Sequence, residues 1–487
     1  MLKNDVLLNE EASRCLVCVD APCSSVCKNG DPARALRAIR FGNKRLASRW
    51  LAECTDEELE AAEKACLHYD RPISLRALRD RLQEAPSAVR ELPSLEIDFC
   101  GIHCENPFFL ASSAVCTNYD MVARAFDAGW GGVFYKTICL QEIKEVSPRF
   151  DAVREHSKGD FYGFRNMEQL SENPVDVDFD ILRRLKKNYP SKVVVASIMG
   201  QTEEQWIELA KRAEEAGVDA VELNFSCPQM RLAGMGSDVG QNPELVTIYT
   251  AYVKNNVSIP VIPKMTPNIT SMSQASMGCY FAGAAGISAI NTIKSVTLDD
   301  SAAVSGRKTV SGYSGRAVKP IALRFILEMS RNPIMKGLQL SGVGGIETWR
   351  DALDFIQLGC RNVQVCTAVM QYGYRIIDDL ILGLREYMAD RGVDRLDSFV
   401  GERIGEFVAP KDLDRSTIVF PIFDSETCVG CGRCYTSCMD GGHQAIAFDP
   451  IKRRPKLIGS RCVGCHLCRL VCPSGAVTVS KRVKKAS

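Results

Sequence analysis

A chain of 487 residues is long enough for two to four domains, at about 100–200 residues per domain. Its 60 Lys and Arg against 59 Asp and Glu leave almost no net charge, which argues against nucleic acid or an anionic membrane as partner. The N-terminus has no basic start before an apolar stretch, and no apolar run approaches the ~18 residues that span a bilayer. We therefore expect a cytoplasmic protein that acts on small, near-neutral molecules.

The 22 cysteines divide the chain into three regions. Six lie in residues 1–66, eight lie between Cys428 and Cys472, and the other eight are scattered between them. In a reducing compartment, cysteines separated by two to four residues indicate metal or iron–sulfur ligation rather than disulfides. We predict an N-terminal helical iron–sulfur domain over 1–90, a central domain over 91–400 and an iron–sulfur domain over 401–487.

The first motif, "RCLVCVDAPCSSVC", has the spacing C-x2-C-x4-C-x3-C and precedes a stretch with helical periodicity. It resembles the N-terminal iron–sulfur domain shared by dihydropyrimidine dehydrogenases and the small subunit of glutamate synthase. That resemblance implies one [4Fe–4S] cluster, held by Cys15, Cys18, Cys23 and Cys66. A second cluster would have only Cys27 and Cys54, which are too few. Cys27 as the fourth ligand, zinc, or a metal-free fold remain alternatives.

The central region alternates eight short apolar runs, from "FFLASSA" to "NVQVCTAV", with helix-like stretches such as residues 203–217. Eight such repeats predict a (β/α)8 barrel (TIM barrel), whose strands are buried on both faces. A doubly wound sheet is the alternative. Polar residues and glycines collect at the carboxyl ends of these runs, where barrels build active sites.

Two features of the predicted barrel point to a flavin. The glycine pair in "SGVGGI" and the run "QVCTAV" fall at the seventh and eighth strands, where barrels bind phosphate. Lys136 and Lys264 end two other strands and could face the region of a flavin that becomes negative on reduction, although lysines also end strands for structural reasons. No G-x-G-x-x-G lies between a strand and a helix, so the chain has no dinucleotide-binding fingerprint.

The C-terminal motifs "CVGCGRCYTSC" and "CVGCHLCRLVCP" both have the spacing C-x2-C-x2-C-x3-C. Paired motifs of this kind hold two [4Fe–4S] clusters in a ferredoxin-like α+β domain, and each fourth cysteine ligates the other cluster. Two zinc sites are the alternative, and Met439 stands where a proline is expected. One predicted ligand set is Cys428, Cys431, Cys434 and Cys472. The other is Cys462, Cys465, Cys468 and Cys438.

From about residue 95 to 480 the chain resembles the FMN-containing subunit of bacterial NAD-dependent dihydropyrimidine dehydrogenase, a relative of dihydroorotate dehydrogenase. The motifs that carry the resemblance include "NFSCPQM", "KMTPNI", "INTIKS" and "SGYSGRAVKPIALRFI". It implies an oxidoreductase that interconverts uracil or thymine and the 5,6-dihydropyrimidine, with FMN in the barrel. The implied FMN contacts are Ser112, Lys136, Thr137, Asn166, Lys264, Asn291, Ser314, Gly315, Gly344, Gly345, Cys366 and Thr367.

Cys227, in "NFSCPQM", is the predicted catalytic acid and base. A single cysteine in an apolar run is usually a buried structural thiol, but this position matches the family motif, and a thiol can exchange a proton with the substrate. The glycine- and methionine-rich stretch after it predicts a mobile lid. The resemblance assigns the pyrimidine to Asn166, Glu168, Asn224, Ser226, Asn291 and Thr292, and amides suit its alternating C=O and N–H edge.

The resemblance also implies a partner. Electrons would come from a separate subunit that binds FAD and NAD(P)H, relayed by the clusters, in a hetero-oligomer with a homodimeric core. Reduced ferredoxin is an alternative donor. Alternative functions are a dihydroorotate-type or other flavin ene-reductase, which Glu168 disfavours because it would repel a substrate carboxylate, and an electron-transfer subunit with a vestigial barrel.

Overall fold

The computed structural model describes residues 5–82, 91–154, 161–228, 230, 234–298 and 309–485. The chain divides into two compact units, Arg90–Glu406 and a second that combines Met1–Val89 with Phe407–Ser487. The boundary predicted at residue 90 lies outside the described residues, and the division into three domains stays a prediction. No helix in the described ranges is long and apolar enough to cross a membrane.

The N-terminal segment is helical. Its helices begin at local caps: the Asp31 carboxylate accepts a hydrogen bond from the Arg34 amide, and Thr55 and Glu58 form a reciprocal capping box. Apolar side chains such as Leu36, Leu51 and Leu78 are buried between the helices. The helices are α1 Asp5–Ser13, α2 Pro22–Ser25, α3 Pro32–Arg40, α4 Lys44–Ala52, α5 Asp56–Lys64 and α6 Leu75–Leu82.

The unit Arg90–Glu406 contains the predicted barrel. A hairpin of β1 (Ile97–Phe99) and β2 (Ile102–Cys104) precedes it. Eight parallel strands, all drawn from the predicted runs, then close on themselves, which confirms the barrel and excludes the doubly wound sheet. In order around the barrel the strands are β3 Phe108–Leu110, β4 Gly132–Phe134, β7 Val193–Ile198, β8 Ala220–Asn224, β9 Val261–Lys264, β10 Gly286–Ala289, β13 Gln339–Val343 and β14 Cys360–Val365.

Helices connect these strands. In α9 (Glu203–Glu215), the hydroxyl of the N-cap residue Thr202 accepts a hydrogen bond from the Gln205 amide. Trp206, Leu209 and Ala213 of this helix are buried. The helices are α7 Tyr119–Ala128, α8 Val175–Asn188, α9 Glu203–Glu215, α10 Ser237–Gly240, α11 Pro243–Lys254, α12 Ser273–Phe281, α13 Lys319–Ser330, α14 Trp349–Gln357, α15 Thr367–Tyr372 and α16 Ile376–Asp390. Short 3₁₀ helices are Ala114–Cys116, Arg316–Val318, Pro333–Met335, Leu396–Phe399, Ile404–Glu406, Pro410–Asp412 and Gly459–Arg461.

A second sheet, absent from the sequence prediction, is built from segments between the barrel strands. It is antiparallel, in the order β11-β12-β6-β5. Buried Arg165 holds it together, because its guanidinium donates to the Ser311 hydroxyl at 3.0 Å and to the Thr297 hydroxyl at 2.7 Å. The sheet sets Asn166 opposite Gly312 and Ser314 opposite Phe164, so the predicted site residues Asn166 and Ser314 lie on neighbouring strands. The strands are β5 Phe150–Arg154, β6 Phe161–Asn166, β11 Ile293–Ser295 and β12 Ser311–Ser314.

The C-terminal segment has two short helices and three two-stranded antiparallel sheets, consistent with a ferredoxin-like α+β domain. Cys434, Cys438 and Cys468 pack in its core with Ile446 and Val477. The elements are β15 Thr417–Ile418, β16 Pro421–Phe423, α17 Arg433–Gly441, β17 Ile446–Asp449, β18 Arg454–Leu457, α18 Leu467–Leu470, β19 Val477–Val479 and β20 Val483–Lys484.

Candidate active site

A cavity of about 1060 Å³, including its opening to solvent, lies at the carboxyl ends of the barrel strands. Every predicted FMN contact lines it, as do Cys227 and all the predicted pyrimidine contacts except Ser226. Ser226 is fully buried beside the cavity and bonds to two residues that do line it. The structure therefore brings together residues that lie up to 255 positions apart in the chain, from Ser112 to Thr367.

Three loops meet at the end of the cavity predicted to hold phosphate. Gly344 and Gly345 have φ angles of +125° and +74°, and a Cβ on Gly345 would lie 2.8 Å from the Lys319 amide nitrogen. The Thr367 hydroxyl donates to the Ser314 hydroxyl at 3.0 Å, which joins the loops after β12 and β14. Glycines allow the backbone to approach a ligand closely, and helices α13 and α15 begin at these loops, so this end suits a phosphate.

The two predicted lysines are buried, and each lies beside a carboxylate. Lys136 Nζ is 2.9 Å from Glu168 Oε2, and Lys264 Nζ is 3.7 Å from Glu222 Oε2. Arg149 also reaches Glu168, at 3.3 Å. Because buried charges need partners, Glu222 is part of the site, although the sequence reasoning missed it. The sequence feature that could have identified Glu222 is the presence of a glutamate inside the apolar run "AVELNFSC".

A chain of hydrogen bonds connects Glu222 with the predicted substrate residues. The Ser197 hydroxyl donates to Glu222 Oε1 at 2.9 Å and is 2.9 Å from the Thr137 hydroxyl. Asn224 Nδ2 donates to the same Thr137 hydroxyl at 2.9 Å. Buried networks in which the members hydrogen-bond to one another hold their side chains in fixed orientations.

The three predicted asparagines turn their carbonyl oxygens toward the protein. Asn166 Oδ1 accepts from the Glu168 amide at 2.7 Å, and Asn291 Oδ1 accepts from the Thr292 amide at 2.7 Å. Asn224 Oδ1 accepts both the amide, at 3.1 Å, and the hydroxyl, at 2.9 Å, of Ser226. Amides that both donate to and accept from the ligand were predicted, but these carbonyl oxygens are used inside the protein. Asn224 and Asn291 also donate one N–H each to Thr137 and Ser226, so the second N–H of each amide is the group that can serve a ligand. The Glu168 carboxylate lines the same cavity and can act as an acceptor.

Cys227 lies in the wall of the cavity and is 5% exposed. The loop after it returns through Gly236, whose φ is +57° and whose added Cβ would lie 2.5 Å from the Cys227 carbonyl oxygen. The Ser237 amide donates to that oxygen at 2.9 Å. The Ser237 amide thus holds the backbone of Cys227, and the loop approaches that backbone so closely at Gly236 that a side chain there would clash with it. Residues 229 and 231–233 of the predicted lid lie outside the described residues.

The sequence reasoning also missed Gln364, in β14. Its Nε2 donates to Ser288 and Ser341, each at 2.8 Å, while its Oε1 has no hydrogen-bond partner among the described residues. Gln364 lines the cavity and is 1% exposed. The aromatic residues Phe150, Phe164 and Tyr313 also line the cavity. They lie in β5, β6 and β12, which were not predicted as strands.

The cysteines predicted to bind clusters gather around three further cavities. In the C-terminal segment, one of about 360 Å³ is lined by Cys428, Cys431, Cys434 and Cys472, and one of about 340 Å³ by Cys438, Cys462, Cys465 and Cys468. In the N-terminal segment, a cavity of about 440 Å³ is lined by Cys15, Cys18, Cys23 and Cys66. Four converging thiols suit a [4Fe–4S] cluster, and the ligand assignments stay predictions.

Comparison with known proteins gives matches over most of the chain. The pattern of the dihydroorotate dehydrogenase family matches residues 94–388, and that of the 4Fe-4S dicluster domain matches residues 422–479. The chain is 50% identical over 393 residues to the Escherichia coli (strain K12) protein named NAD-dependent dihydropyrimidine dehydrogenase subunit PreA, covering 80% of this chain and 95% of that protein.

Two further relatives are more distant. The chloroplastic dihydropyrimidine dehydrogenase (NADP(+)) of Arabidopsis thaliana is 38% identical over 344 residues, covering 67% of this chain and 81% of the relative. The catalytic subunit of dihydroorotate dehydrogenase B (NAD(+)) of Pyrococcus abyssi (strain GE5 / Orsay) is 33% identical over 313 residues, covering 63% of this chain and 98% of that protein. These matches confirm the resemblance predicted for residues 95–480, the FMN-type barrel and the [4Fe–4S] clusters of the C-terminal segment, whereas the resemblance of the N-terminal segment stays a prediction. The number of clusters and the N-terminal cluster stay predictions.

Proposed function

Because the chain belongs to the dihydroorotate dehydrogenase family of oxidoreductases, we propose that its barrel interconverts uracil or thymine and the 5,6-dihydropyrimidine. The observation that carries this proposal is that Asn166, Asn224 and Asn291 line one cavity with Glu168 and use their carbonyl oxygens inside the protein. Asn224 and Asn291 each donate one N–H to a protein hydroxyl, and the second N–H of each can donate to one of the two carbonyl oxygens of a pyrimidine. The Glu168 carboxylate can accept from the ring N–H between those oxygens.

The residues of the cavity fit FMN. Lys136 and Lys264 supply buried positive charge for the ring system, and Gly344, Gly345 and Thr367 form the loops for its phosphate. The other proposed contacts are Ser112, Thr137, Asn166, Asn291, Ser314, Gly315 and Cys366. When bound, FMN supplies or accepts the hydride at the substrate's C6.

Cys227 is the proposed acid and base of the reaction. Reduction of the C5–C6 double bond adds a hydride at C6 and a proton at C5, the carbon next to a carbonyl. The Cys227 thiol delivers that proton, and the thiolate removes it in the reverse direction. Because Cys227 is 5% exposed, the cavity wall limits the access of water to the developing carbanion at C5.

Glu168 discriminates among pyrimidines in this proposal. Lys136 and Arg149 both neighbour its carboxylate, so it remains an acceptor for a ring N–H. A dihydroorotate-type substrate would bring a carboxylate into the same cavity, where Lys136 and Arg149 are already paired with Glu168, whereas uracil or thymine offers Glu168 a ring N–H to accept. This argument favours uracil or thymine over orotate.

The relative from E. coli is named as a subunit, and we propose that this chain likewise works with a separate protein that binds FAD and NAD(P)H. Electrons would pass through [4Fe–4S] clusters, held by the C-terminal cysteines and by Cys15, Cys18, Cys23 and Cys66. The assembly would be a hetero-oligomer with a homodimeric core, and reduced ferredoxin is the alternative donor.

A test uses the anaerobic, chemically reduced chain without a partner. Mixed in single turnover with uracil, thymine or orotate, it should oxidise its flavin with the first two and form the dihydropyrimidine, identified by chromatography. A Glu168→Gln variant should lose most of its uracil turnover. Faster flavin oxidation with orotate than with uracil would refute the pyrimidine assignment.

A further inference from the structure

Two of the six N-terminal cysteines lie outside the cavity lined by the other four. Cys27 and Cys54 face each other, and the Glu58 carboxylate completes a group whose two Sγ atoms and one carboxylate oxygen all lie within 4.8 Å of one another. In the rest of the described chain no other three cysteine, histidine or acidic ligand atoms form so close a group.

The backbone holds each member of the group in place. Cys27 follows α2, Cys54 follows α4, and Glu58 lies in the first turn of α5. One carboxylate oxygen of Glu58 accepts from the Lys28 amide at 3.1 Å, and the other accepts from the Thr55 amide at 2.9 Å. Each carboxylate oxygen keeps a second lone pair, so Glu58 can bind a cation without giving up these bonds.

Gly30 leaves the space that the Cys54 thiol occupies. A Cβ on Gly30 would lie 2.2 Å from Cys54 Sγ and 2.5 Å from the Trp50 carbonyl oxygen. The φ of Gly30 is not in the left-handed region, so backbone conformation does not require glycine here. Close packing against the thiol accounts for the residue instead.

The surroundings of the group favour a positive ion. Burial raises the pKa of both thiols, and the carboxylates of Glu58 and Asp31 raise them further. The pKa of Cys54 is raised to about 12. A divalent cation that displaces the two thiol protons would be held by two thiolates and the Glu58 carboxylate, whose negative charges offset its own charge.

We propose that Cys27, Cys54 and Glu58 bind a single Zn²⁺ ion, with water as the fourth ligand. Thiolate and carboxylate ligands in tetrahedral geometry are typical of zinc. The ligand atoms of such a site stand about 3.5–3.8 Å apart, given bonds of about 2.0–2.3 Å, so the group must contract by about 1 Å. Binding replaces the two thiol protons, which are released to solvent.

The spacing favours one ion over a cluster at this place. Thiolates at the corners of a [4Fe–4S] cube are held apart by the cluster between them, and a cube needs four ligands. The N-terminal cysteines that line the 440 Å³ cavity meet that requirement. The Cys27–Cys54–Glu58 group offers three donors, all within 4.8 Å of one another, which is one fewer than a cube requires.

The experiment measures metals in the full-length protein, purified anaerobically, incubated with Zn²⁺ and freed of excess ion. Mass spectrometry of the metals should find about one tightly bound zinc per chain, and X-ray absorption at the zinc edge should find two sulfur ligands at about 2.3 Å. Cys27→Ser and Cys54→Ser should lose this zinc and keep their iron. Glu58→Gln should bind zinc at least tenfold more weakly in chelator competition.

Matched controls separate this site from its neighbours. Cys66→Ser should lose iron and keep zinc, and Cys104→Ser, a buried thiol of the other unit, should change neither. The absorption spectrum of the wild-type protein does not depend on any variant folding. Three results would each overturn the proposal: no sulfur-bound zinc in the wild type, loss of iron from Cys54→Ser, or a Cys27–Cys54 disulfide in the zinc-treated protein.

Discussion

Lys264 Nζ and Glu222 Oε2 lie 3.7 Å apart inside the barrel, and the two residues are 3% and 0% exposed. Glu222 therefore offsets part of the positive charge that Lys264 would present to a reduced flavin. Electrostatic interactions are stronger in a site that excludes water. The carboxylate of Glu222, although it does not line the cavity, should lower the midpoint potential of bound FMN.

Replacing Glu222 with Gln should raise that potential, because the charge of Lys264 then acts without its partner. We expect a rise of about 30 mV, equivalent to a tenfold change for a two-electron couple. Spectroelectrochemistry of the bound FMN measures it. Ser197→Ala removes the hydrogen bond to Glu222 Oε1 but no charge, and should shift the potential much less. An unchanged potential in Glu222→Gln would contradict this role.

Replacing Cys227 with Ala should slow turnover and leave FMN and the clusters bound. A lost general acid costs about 10²–10⁴-fold in rate. Cys227→Ser should recover only part of this, because a hydroxyl is a far weaker acid than a thiol. The measurement is uracil reduction by pre-reduced enzyme in single turnover. A wild-type rate in Cys227→Ala would show that the thiol is structural.

Replacing Gly236 with Ala should displace Cys227. The new Cβ would meet the Cys227 carbonyl oxygen at 2.5 Å in a backbone conformation that costs a non-glycine residue about 1–3 kcal/mol. We expect turnover to fall at least tenfold while FMN stays bound. Gly234→Ala is the control, because Gly234 also has a positive φ, +77°, but a Cβ there would meet no atom of the described residues within 4 Å. Equal losses in both variants would point to loop strain alone.

Replacing Lys319 with Met should weaken FMN binding although Lys319 is not among the proposed FMN contacts. Lys319 Nζ is 2.6 Å from Asp351, and Asp351 accepts from the Glu347 and Thr348 amides that follow the glycine pair. Loss of this link should loosen the loop that contains Gly344 and Gly345, which we propose binds the FMN phosphate. The dissociation constant of FMN should then rise about tenfold, as measured by titrating the flavin-free protein. Lys336→Met, at an exposed lysine, should leave the constant unchanged.

The iron content should be about twelve per chain, from three clusters of four irons each. Cys66→Ala should reduce it to about eight, whereas Cys27→Ala should keep about twelve, because Cys66 and not Cys27 lines the cavity with Cys15, Cys18 and Cys23. Iron analysis of the anaerobic protein measures both. The reverse result would make Cys27 the fourth ligand, and about eight irons in the wild type would mean that the N-terminal cavity holds no cluster.

The sequence by itself determined the barrel and the cysteine motifs, because both are encoded locally. Alternating apolar runs and amphipathic stretches report burial within one strand or one helix, and a spacing such as C-x2-C-x2-C-x3-C brings three thiols together within a single loop. The glycines predicted to bind phosphate and the lysines at strand ends could also be selected from the sequence, since the carboxyl ends of barrel strands form one face. Cys227 was predicted as the catalytic residue from its motif.

Only the tertiary structure decided which distant groups meet. The Thr367–Ser314 hydrogen bond joins residues 53 positions apart, and Asn291 reaches Ser226 across 65 positions. The direction in which each asparagine turns depends on such neighbours and not on its own sequence context. The pairing of Lys264 with Glu222, and the separation of Cys27 and Cys54 from the other four N-terminal cysteines, likewise follow from how helices and strands pack. The periodicity of apolar residues within one helix or strand does not indicate which other elements pack against it.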